Sequence, residues 1–467
     1  MSDIAAILRE IVGDGGVLSS REDCAAYDND LTKSPGGAVA CVVRPRSTAE
    51  VSAVLAACST IDNVAVIPRG GGTGLAGGAT PPLGRVNVVL SLERMRAVRA
   101  IDPVGNVMTV EAGCSLHDAQ AAAVAEGRLL GLDHGGASSQ IGGNLATNAG
   151  GNNVLRYGMA RDQVLGLEVV LADGQVLTQL SPLRKNNAGY DLKQVFLGSE
   201  GTLGIITAAA LRLRPAPRKR VTACVGLTSL DAVLTLFARA QAELGESISA
   251  FEVMSRAALD LCFAHSGQRA PFDTVTSWTV LLEADSASEH FDLSGAVDTL
   301  VAEAMEAGLV ADGTIAASEA QRQALWALRE GIPSAMIETP GSLKSDTAVP
   351  IPAIAAFDAA ARHAVAAVVP DCVPAPFGHV GDGNIHFNVL PPPGMPGDTF
   401  SRQWPALARA IEDVALSFGG TVSAEHGIGL VKRDALSRMR SATELAVMRS
   451  LKQALDPRGL LNPGKIL

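Results

Sequence analysis

The chain has 467 residues, enough for about two to four domains. With 47% hydrophobic and 18% charged residues, it has ample apolar material for packed cores, which argues against a disordered or fibrous protein. Its net charge of −10 argues against a general nucleic-acid binder, whose phosphate contacts need clustered cations. Much glycine (48 residues) with few aromatics (4%) suggests close approaches of backbone to a ligand. Seven scattered cysteines without a C-x-x-C speak against a zinc ribbon, a redox pair or a disulfide scaffold. The start, MSDIAAILREIVG, lacks the apolar run and cleavage site of a signal peptide. The apolar stretch 353–369 carries Asp358, Arg362 and His363, so no integral membrane segment is expected and the location expected is cytoplasmic.

Strand-like runs open the chain at 38–43, 64–68, 86–90, 107–111, 165–171 and 204–213, with helical patterns at 48–58 and 115–126 between them. Arg214-Pro215-Ala216-Pro217 marks a domain boundary, because two prolines interrupt both helix and strand. Beyond it, strands are expected at 221–227 and 276–283, and helices at 230–244, 291–307, 319–330 and 444–454. The alternation predicts a second α+β domain with a sheet covered on one face.

The segment PRGGGTGLAGGAT, Pro68 to Thr80, contains a literal G-x-G-x-x-G at Gly72, Gly74 and Gly77, and Glu93 stands where a ribose-binding acid would follow. A dinucleotide fold needs a helix to begin inside that loop. Pro81-Pro82-Leu83-Gly84 stops one almost at once, so an extended loop whose N–H groups nest a diphosphate is the better reading. Two further segments, SSQIGGNLATNAGGNNVLRYG (138–158) and FLGSEGTLGIIT (196–207), are rich in small residues. Each alone reads as tight turns; together they point to one shared planar ligand, with Ser139, Asn144 and Asn148 as hydrogen-bonding groups.

In FGHVGDGNIHFNVL (377–390), Asp382-Gly383 is a two-residue hairpin signal. Folding about it opposes His379 to His386, with Asn388 on the same face, so two imidazoles face one metal ion. The plainer alternative is a hairpin with polar residues facing water. In VSAEHGIG (422–429), Glu425 offers a carboxylate and His426 is its neighbour; alone this reads equally as a loop with a salt bridge.

These segments resemble the vanillyl-alcohol oxidase and p-cresol methylhydroxylase superfamily, most closely its D-2-hydroxy-acid dehydrogenases, among them the D-2-hydroxyglutarate, D-lactate and glycolate enzymes. The resemblance runs over nearly the whole chain. It implies an α+β protein: a two-subdomain FAD-binding domain of the p-cresol methylhydroxylase type, plus an α+β cap domain with an antiparallel sheet that carries the substrate site. The expected division is 1–215 for FAD, 216–420 for the cap, and 421–467 returning to the FAD domain and active site. FAD is expected around Arg69, Gly70, Gly71, Gly72, Thr73, Gly74, Leu75, Gly77 and Gly78 in the first segment. In the second, the expected residues are Ser138, Ser139, Gly142, Gly143, Asn144, Thr147, Asn148, Gly150, Gly151 and Tyr157. Gly201, Gly204, Ile205, Ile206 and the tail residue Asn462 complete the set. Relatives often hold the flavin through a histidine in the first loop; Gly71-Gly72-Thr73 offers none, so the FAD is expected to be non-covalent.

The resemblance further implies His379, His386 and Glu425 as ligands of a divalent metal, zinc by ligand type, and His426 as a catalytic base that also contacts substrate. Arg329 and Lys344 match positions that bind substrate carboxylates, and Asn388 joins them as a substrate-binding expectation. One departure is Pro333, where the family often has a threonine. The implied reaction takes a D-2-hydroxy acid, D-2-hydroxyglutarate before D-lactate, to the 2-oxo acid. The implied partners are that substrate, an electron acceptor such as an electron-transfer flavoprotein or a quinone, and a second copy in a homodimer. The alternatives are a glycolate oxidase flavin subunit, a metal-dependent hydrolase built on His379, His386 and Glu425, and a flavin-binding sensor.

Overall fold

The computed structural model of the protein describes residues 4–134, 136 and 138–467. Two units emerge. The first comprises Met1–Gly151, Gly158–Ala216 and Glu425–Leu467, the second Asn152–Tyr157 and Pro217–Ala424.

Alternation between two apolar clusters explains the first sheet of the first unit. Val64 and Val66 join one apolar cluster, while Ala65 and Ile67 join another on the opposite face. Strands covered on both faces suit parallel pairing. Val39–Val43 and Val64–Arg69 flank Val86–Ser91, both parallel to it, with helix Thr48–Ser59 as the crossover. Ser47 caps that helix by accepting from the Glu50 N–H. A second sheet is antiparallel, in the order Val98–Asp102, Val107–Glu111, Ile205–Arg212, Val164–Val170 and Val176–Gln179.

The tail is stitched to the first sheet. Val66 donates to the Leu460 carbonyl at 2.8 Å, and Asn462 N–H donates back to the Val66 carbonyl at 2.8 Å. Asp456 accepts from the amides of Leu460 and Leu461. The expected strands of this unit form within a residue or two of their predicted bounds, and no helix begins inside the first glycine loop.

The second unit is built on seven antiparallel strands, ordered Val310–Ile315, Lys219–Leu227, Trp278–Ser286, Ile248–Ser255, Phe377–His379, Asn384–His386 and Thr347–Ala348. The sheet is covered on both faces, not one as expected. Val225, Phe251, Val253 and Leu282 face helices Leu230–Leu244 and Leu293–Glu306. Cys224, Ala250, Met254 and Leu281 face helices Arg256–Ser266 and Glu319–Glu338. The signal was hidden because this second face also carries Thr222, Glu252, Glu283 and Asp285, polar residues that are buried.

One local expectation is corrected. Helix Glu319–Glu338 runs through Pro333 instead of ending near Glu330. The proline removes the N–H that would bond the Arg329 carbonyl and crowds that carbonyl, and the buried stripe Leu325, Leu328, Ile332 and Met336 holds the helix past it. The apolar helix Ile354–Val368 carries a buried stripe of Phe357, Ala361 and Val365, packed with Leu407, Ile411 and Ala415 of helix Trp404–Ser417, and an Asp358–Arg362 ion pair.

Candidate active site

A cavity of about 430 Å³ opens in the first unit, walled by all three glycine segments. The first loop passes so close to the second segment that a Cβ on Gly71 would lie 2.6 Å from the Ser138 carbonyl. Gly142 is equally constrained, with a Cβ there 2.7 Å from that of Ala112. Gly143, in helix Ile141–Ala146, differs: a Cβ there meets nothing within 4 Å. One glycine thus serves packing, and its neighbour leaves the cavity wall flat.

Side-chain amides ring the cavity. Asn144 Oδ1 pairs with His134 Nε2 at 3.1 Å, and Ser139 Oγ with the same nitrogen at 3.2 Å. Asn462 Nδ2 donates to the carbonyls of Gly78 (2.9 Å) and Glu200 (2.8 Å). Asn144 Nδ2, Gln140 Oε1 and Asn462 Oδ1 are buried and have no protein partner among the described residues. Unpaired buried donors and acceptors cost roughly 1–3 kcal/mol each, so three in one wall indicate a ligand that bonds them. A flavin, with ring N–H and carbonyl groups along one edge and flat faces, fits both the amides and the bare Gly143 wall. Glu425 and His426 line the same cavity, Glu425 packed so closely on Gly150 that a Cβ there would lie 2.7 Å from Oε1.

Glu200 shapes the loop that presents them. Its φ is +51°, and its carboxylate accepts from the amides of Ile428 and Gly429, each at 2.7 Å. Burial pushes this carboxyl up, against those two hydrogen bonds and the nearby Lys465 and Lys432.

Most residues expected around FAD line this cavity, including Arg69 to Leu75, Gly78, Ser139, Gly142 to Asn144, Thr147, Gly150, Gly201, Gly204 to Ile206 and Asn462. Five do not. Gly77 adopts φ +74° against Leu430, Gly151 lies against the Asp133 backbone, and Ser138 is exposed. Asn148 accepts from the Arg161 amide and contacts Met159 Sδ through its Nδ2. Tyr157 sits in the second unit, its hydroxyl bonded to Asp285. His134, Gln140 and Glu200 were missed. The amide-binding role of His134 carried no local signal, being ten residues from Asn144.

In the second unit the hairpin is real but its register is not the expected one. Val380–Asp382 forms a turn of 3-10 helix, closed by Gly383 at φ +80°. His379 therefore opposes Asn384, and His386 opposes Phe377. The slip is two residues, an even number, so both imidazoles stay on one face. Their ring centroids are 5.7 Å apart, and one nitrogen of each lies within 4.8 Å of the other. That is close to the span allowed by one ion bonded at about 2.0–2.1 Å to each. His386 Nδ1 pairs with the Ser345 carbonyl at 3.2 Å and His379 Nδ1 with Glu252 Oε1 at 2.8 Å, so each ring faces an acceptor through Nδ1 and keeps its lone pair on Nε2, which in His379 lies 3.4 Å from Arg329 Nη2. The donor set fits a metal.

Arg329, buried on helix Glu319–Glu338, donates from Nε to Glu252 Oε2 at 2.8 Å and stacks over Phe377 at 4.7 Å. Burial pushes the Glu252 carboxyl up, but His379 and Arg329 beside it prevail and hold it below the ordinary range. Asn388 Oδ1 accepts from the Ser345 amide at 2.9 Å and so pins the turn that carries Lys344, which is exposed. Asp346, missed from sequence, is buried and accepts from Asn384, Ser423 and the Ala424 amide. It thereby anchors the loop residues Ser423 and Ala424, which precede Glu425 in the chain.

Two family models match: "FAD binding domain" over residues 39–179 and "FAD linked oxidases, C-terminal domain" over residues 216–466. A D-2-hydroxyglutarate dehydrogenase of Xanthomonas citri pv. viticola is 40% identical over 449 residues, covering 95% of this chain and 92% of the relative. One of Stutzerimonas stutzeri is 35% identical, covering 100% and 99%, and the mitochondrial one of Bos taurus is 38% identical, covering 100% and 83%. Among solved structures, p-cresol methylhydroxylase with substrate bound aligns with a TM-score of 0.78 at 16% identity, covering 99% of this chain and 96% of that one. The 4-ethylphenol oxidase of Gulosibacter chungangensis aligns at 0.76 and 18%, covering 100% and 96%. At those identities the likeness is one of fold: a p-cresol methylhydroxylase-type FAD-binding fold joined to an α+β unit with an antiparallel sheet.

Proposed function

The chain belongs to the FAD-linked oxidase family and is an FAD-dependent oxidoreductase, and on that premise we propose that it oxidises a D-2-hydroxy acid to the 2-oxo acid. D-2-hydroxyglutarate is the favoured substrate, with D-lactate next; the relatives' names support the first of these. The observation that carries the reading is the cavity wall, where an imidazole and a carboxylate, His426 and Glu425, stand among the glycine segments and the orphaned amides.

FAD, bound without a covalent link, supplies a two-electron hydride acceptor at N5. A divalent metal, zinc by ligand type, would be held by His379, His386 and Glu425 and would acidify the substrate hydroxyl. His426, in its neutral form, takes the hydroxyl proton. The α C–H bond then breaks with its electron pair leaving as hydride, and the C–O bond becomes a carbonyl. Arg329 and Lys344 bind substrate carboxylates, and Asn388 positions the Lys344 turn. In this reading residues 1–215 hold FAD, 216–420 hold the substrate side, and 421–467 return to the active site. Electrons leave to an external acceptor such as an electron-transfer flavoprotein or a quinone, in the cytoplasm.

The test is anaerobic mixing of the purified yellow protein with a panel of D- and L-hydroxy acids, glycolate included. D-2-hydroxyglutarate should bleach the flavin fastest, D-lactate more slowly, and the L-acids not at all. A flavin that no D-2-hydroxy acid bleaches would overturn the proposal, and fastest bleaching by glycolate would move the substrate to the smaller acid.

A further inference from the structure

Glu252 has no part in the reaction as proposed, yet it is 1% exposed, among the most deeply buried carboxylates of the second unit. It lies on Ile248–Ser255, directly opposite His379 in the strand register, and on the sheet face covered by the helix of Arg329. Its two oxygens are divided: Oε1 meets His379 Nδ1 at 2.8 Å, and Oε2 meets Arg329 Nε at 2.8 Å. Arg329 Nη2 stands 3.4 Å from His379 Nε2.

We propose that Glu252 is a positioning residue: it fixes His379 as the Nδ1–H tautomer, so that Nε2 presents its lone pair to an ion, and it sets the Arg329 guanidinium by the same carboxylate. The part concerning the ion rests on the metal reading above; the tautomer does not. A carboxylate offers two separate acceptor oxygens and no donor, one for each of these partners. The arginine donates whatever the pH, so Oε2 is committed to it. Oε1 then faces the imidazole as an acceptor and calls for an Nδ1–H, while the Arg329 Nη2 donor 3.4 Å from Nε2 calls for a lone pair there, and the neutral Nδ1–H ring satisfies both. A plain structural ion pair between Glu252 and Arg329 would make no such demand on His379.

The substitution Glu252→Gln separates the two. An amide has one acceptor and one donor group. Its oxygen stays with Arg329, and its NH2 faces His379 Nδ1, which must then become the acceptor. The proton moves to Nε2, the atom that would bind the ion. Partners of this kind typically change metal affinity about 10–100-fold.

The experiment is nitrogen-15 NMR of the histidine rings in metal-free holoprotein, with His379→Gln to assign the resonance, together with zinc affinity by chelator competition. Wild type should show an Nδ1–H ring at His379. Glu252→Gln should show Nε2–H, bind zinc about 10–100-fold more weakly, and keep its flavin absorbance. A wild-type ring protonated at Nε2 overturns the proposal, and so does a Glu252→Gln protein that keeps wild-type zinc affinity and loses only thermal stability. If Glu252→Gln does not fold, the wild-type ring alone decides. If wild type takes up no zinc, the metal reading fails, and the two tautomers still decide for Glu252.

Discussion

His426 and Glu425 are adjacent in the chain and line one cavity, so their proposed roles must be separated by chemistry, not by place. A base acts only while it can accept a proton; a ligand must hold an ion whether or not turnover occurs. His426→Asn keeps a polar side chain of similar reach and removes the acceptor. Flavin reduction by D-2-hydroxyglutarate should slow by about 10²–10⁴-fold, the usual loss for a general base. Flavin absorbance and bound zinc should stay at wild-type levels. The wild-type rate should fall under acid, because a protonated imidazole takes up no proton, and that acid limb should vanish in the variant. Rapid-mixing measurements of reduction at several pH values check both. A variant that reduces its flavin at the wild-type rate moves the proton step to another residue.

Among the elements, helix Ile141–Ala146 gives the sharpest test of the flavin cavity. Glycine inside a helix costs roughly 1 kcal/mol relative to alanine. At Gly143 that cost is accepted although a Cβ would touch no protein atom, which points to a ligand surface. Gly143→Leu should therefore leave the flavin-free protein as stable as wild type or slightly more so, while flavin content falls sharply. Flavin absorbance per chain and thermal unfolding of the stripped protein give the two readouts. Full flavin content in the variant would place the flavin ring elsewhere. That helix also shows where sequence reading stops. The strands of the first unit were legible because β-branched runs between glycine loops have one reading. The segment 138–158 was legible as a ligand wall but not as a helix, since glycine and asparagine carry little helical signal. The histidine hairpin was legible in its face and not in its register, because Asp382-Gly383 closes a longer turn than a two-residue loop. Glu252 was invisible for a different reason: its partners His379 and Arg329 lie 127 and 77 residues away.

At the scale of the whole chain, the last residues decide part of the stability of the first unit. The tail binds back through Leu460, Asn462 and Ile466, the last of these donating to the Gly429 carbonyl. This brings Lys465 into the interior, 4% exposed. Burial pushes its ammonium down to about 8; Asp30 and Glu200 oppose that, and Arg433 adds to it. The ordinary lysine value is about 10.4 in an unfolded chain. Between those two values the unfolded chain holds a proton that the folded chain has released, so stability rises with pH across that window. Below about 8 the folded protein keeps a charged amine in a poorly solvated site, a penalty of about 3 kcal/mol at most. Lys465→Met keeps the length and removes the charge. At pH 7 the flavin-free variant should be more stable than flavin-free wild type by up to that amount, and the gap should close as pH approaches 10. Urea unfolding followed by circular dichroism, at pH 7, 8, 9 and 10, measures the difference directly. A gap that stays constant over that range would mean that Lys465 keeps its proton in the fold and that the tail stabilises the unit through its backbone bonds alone.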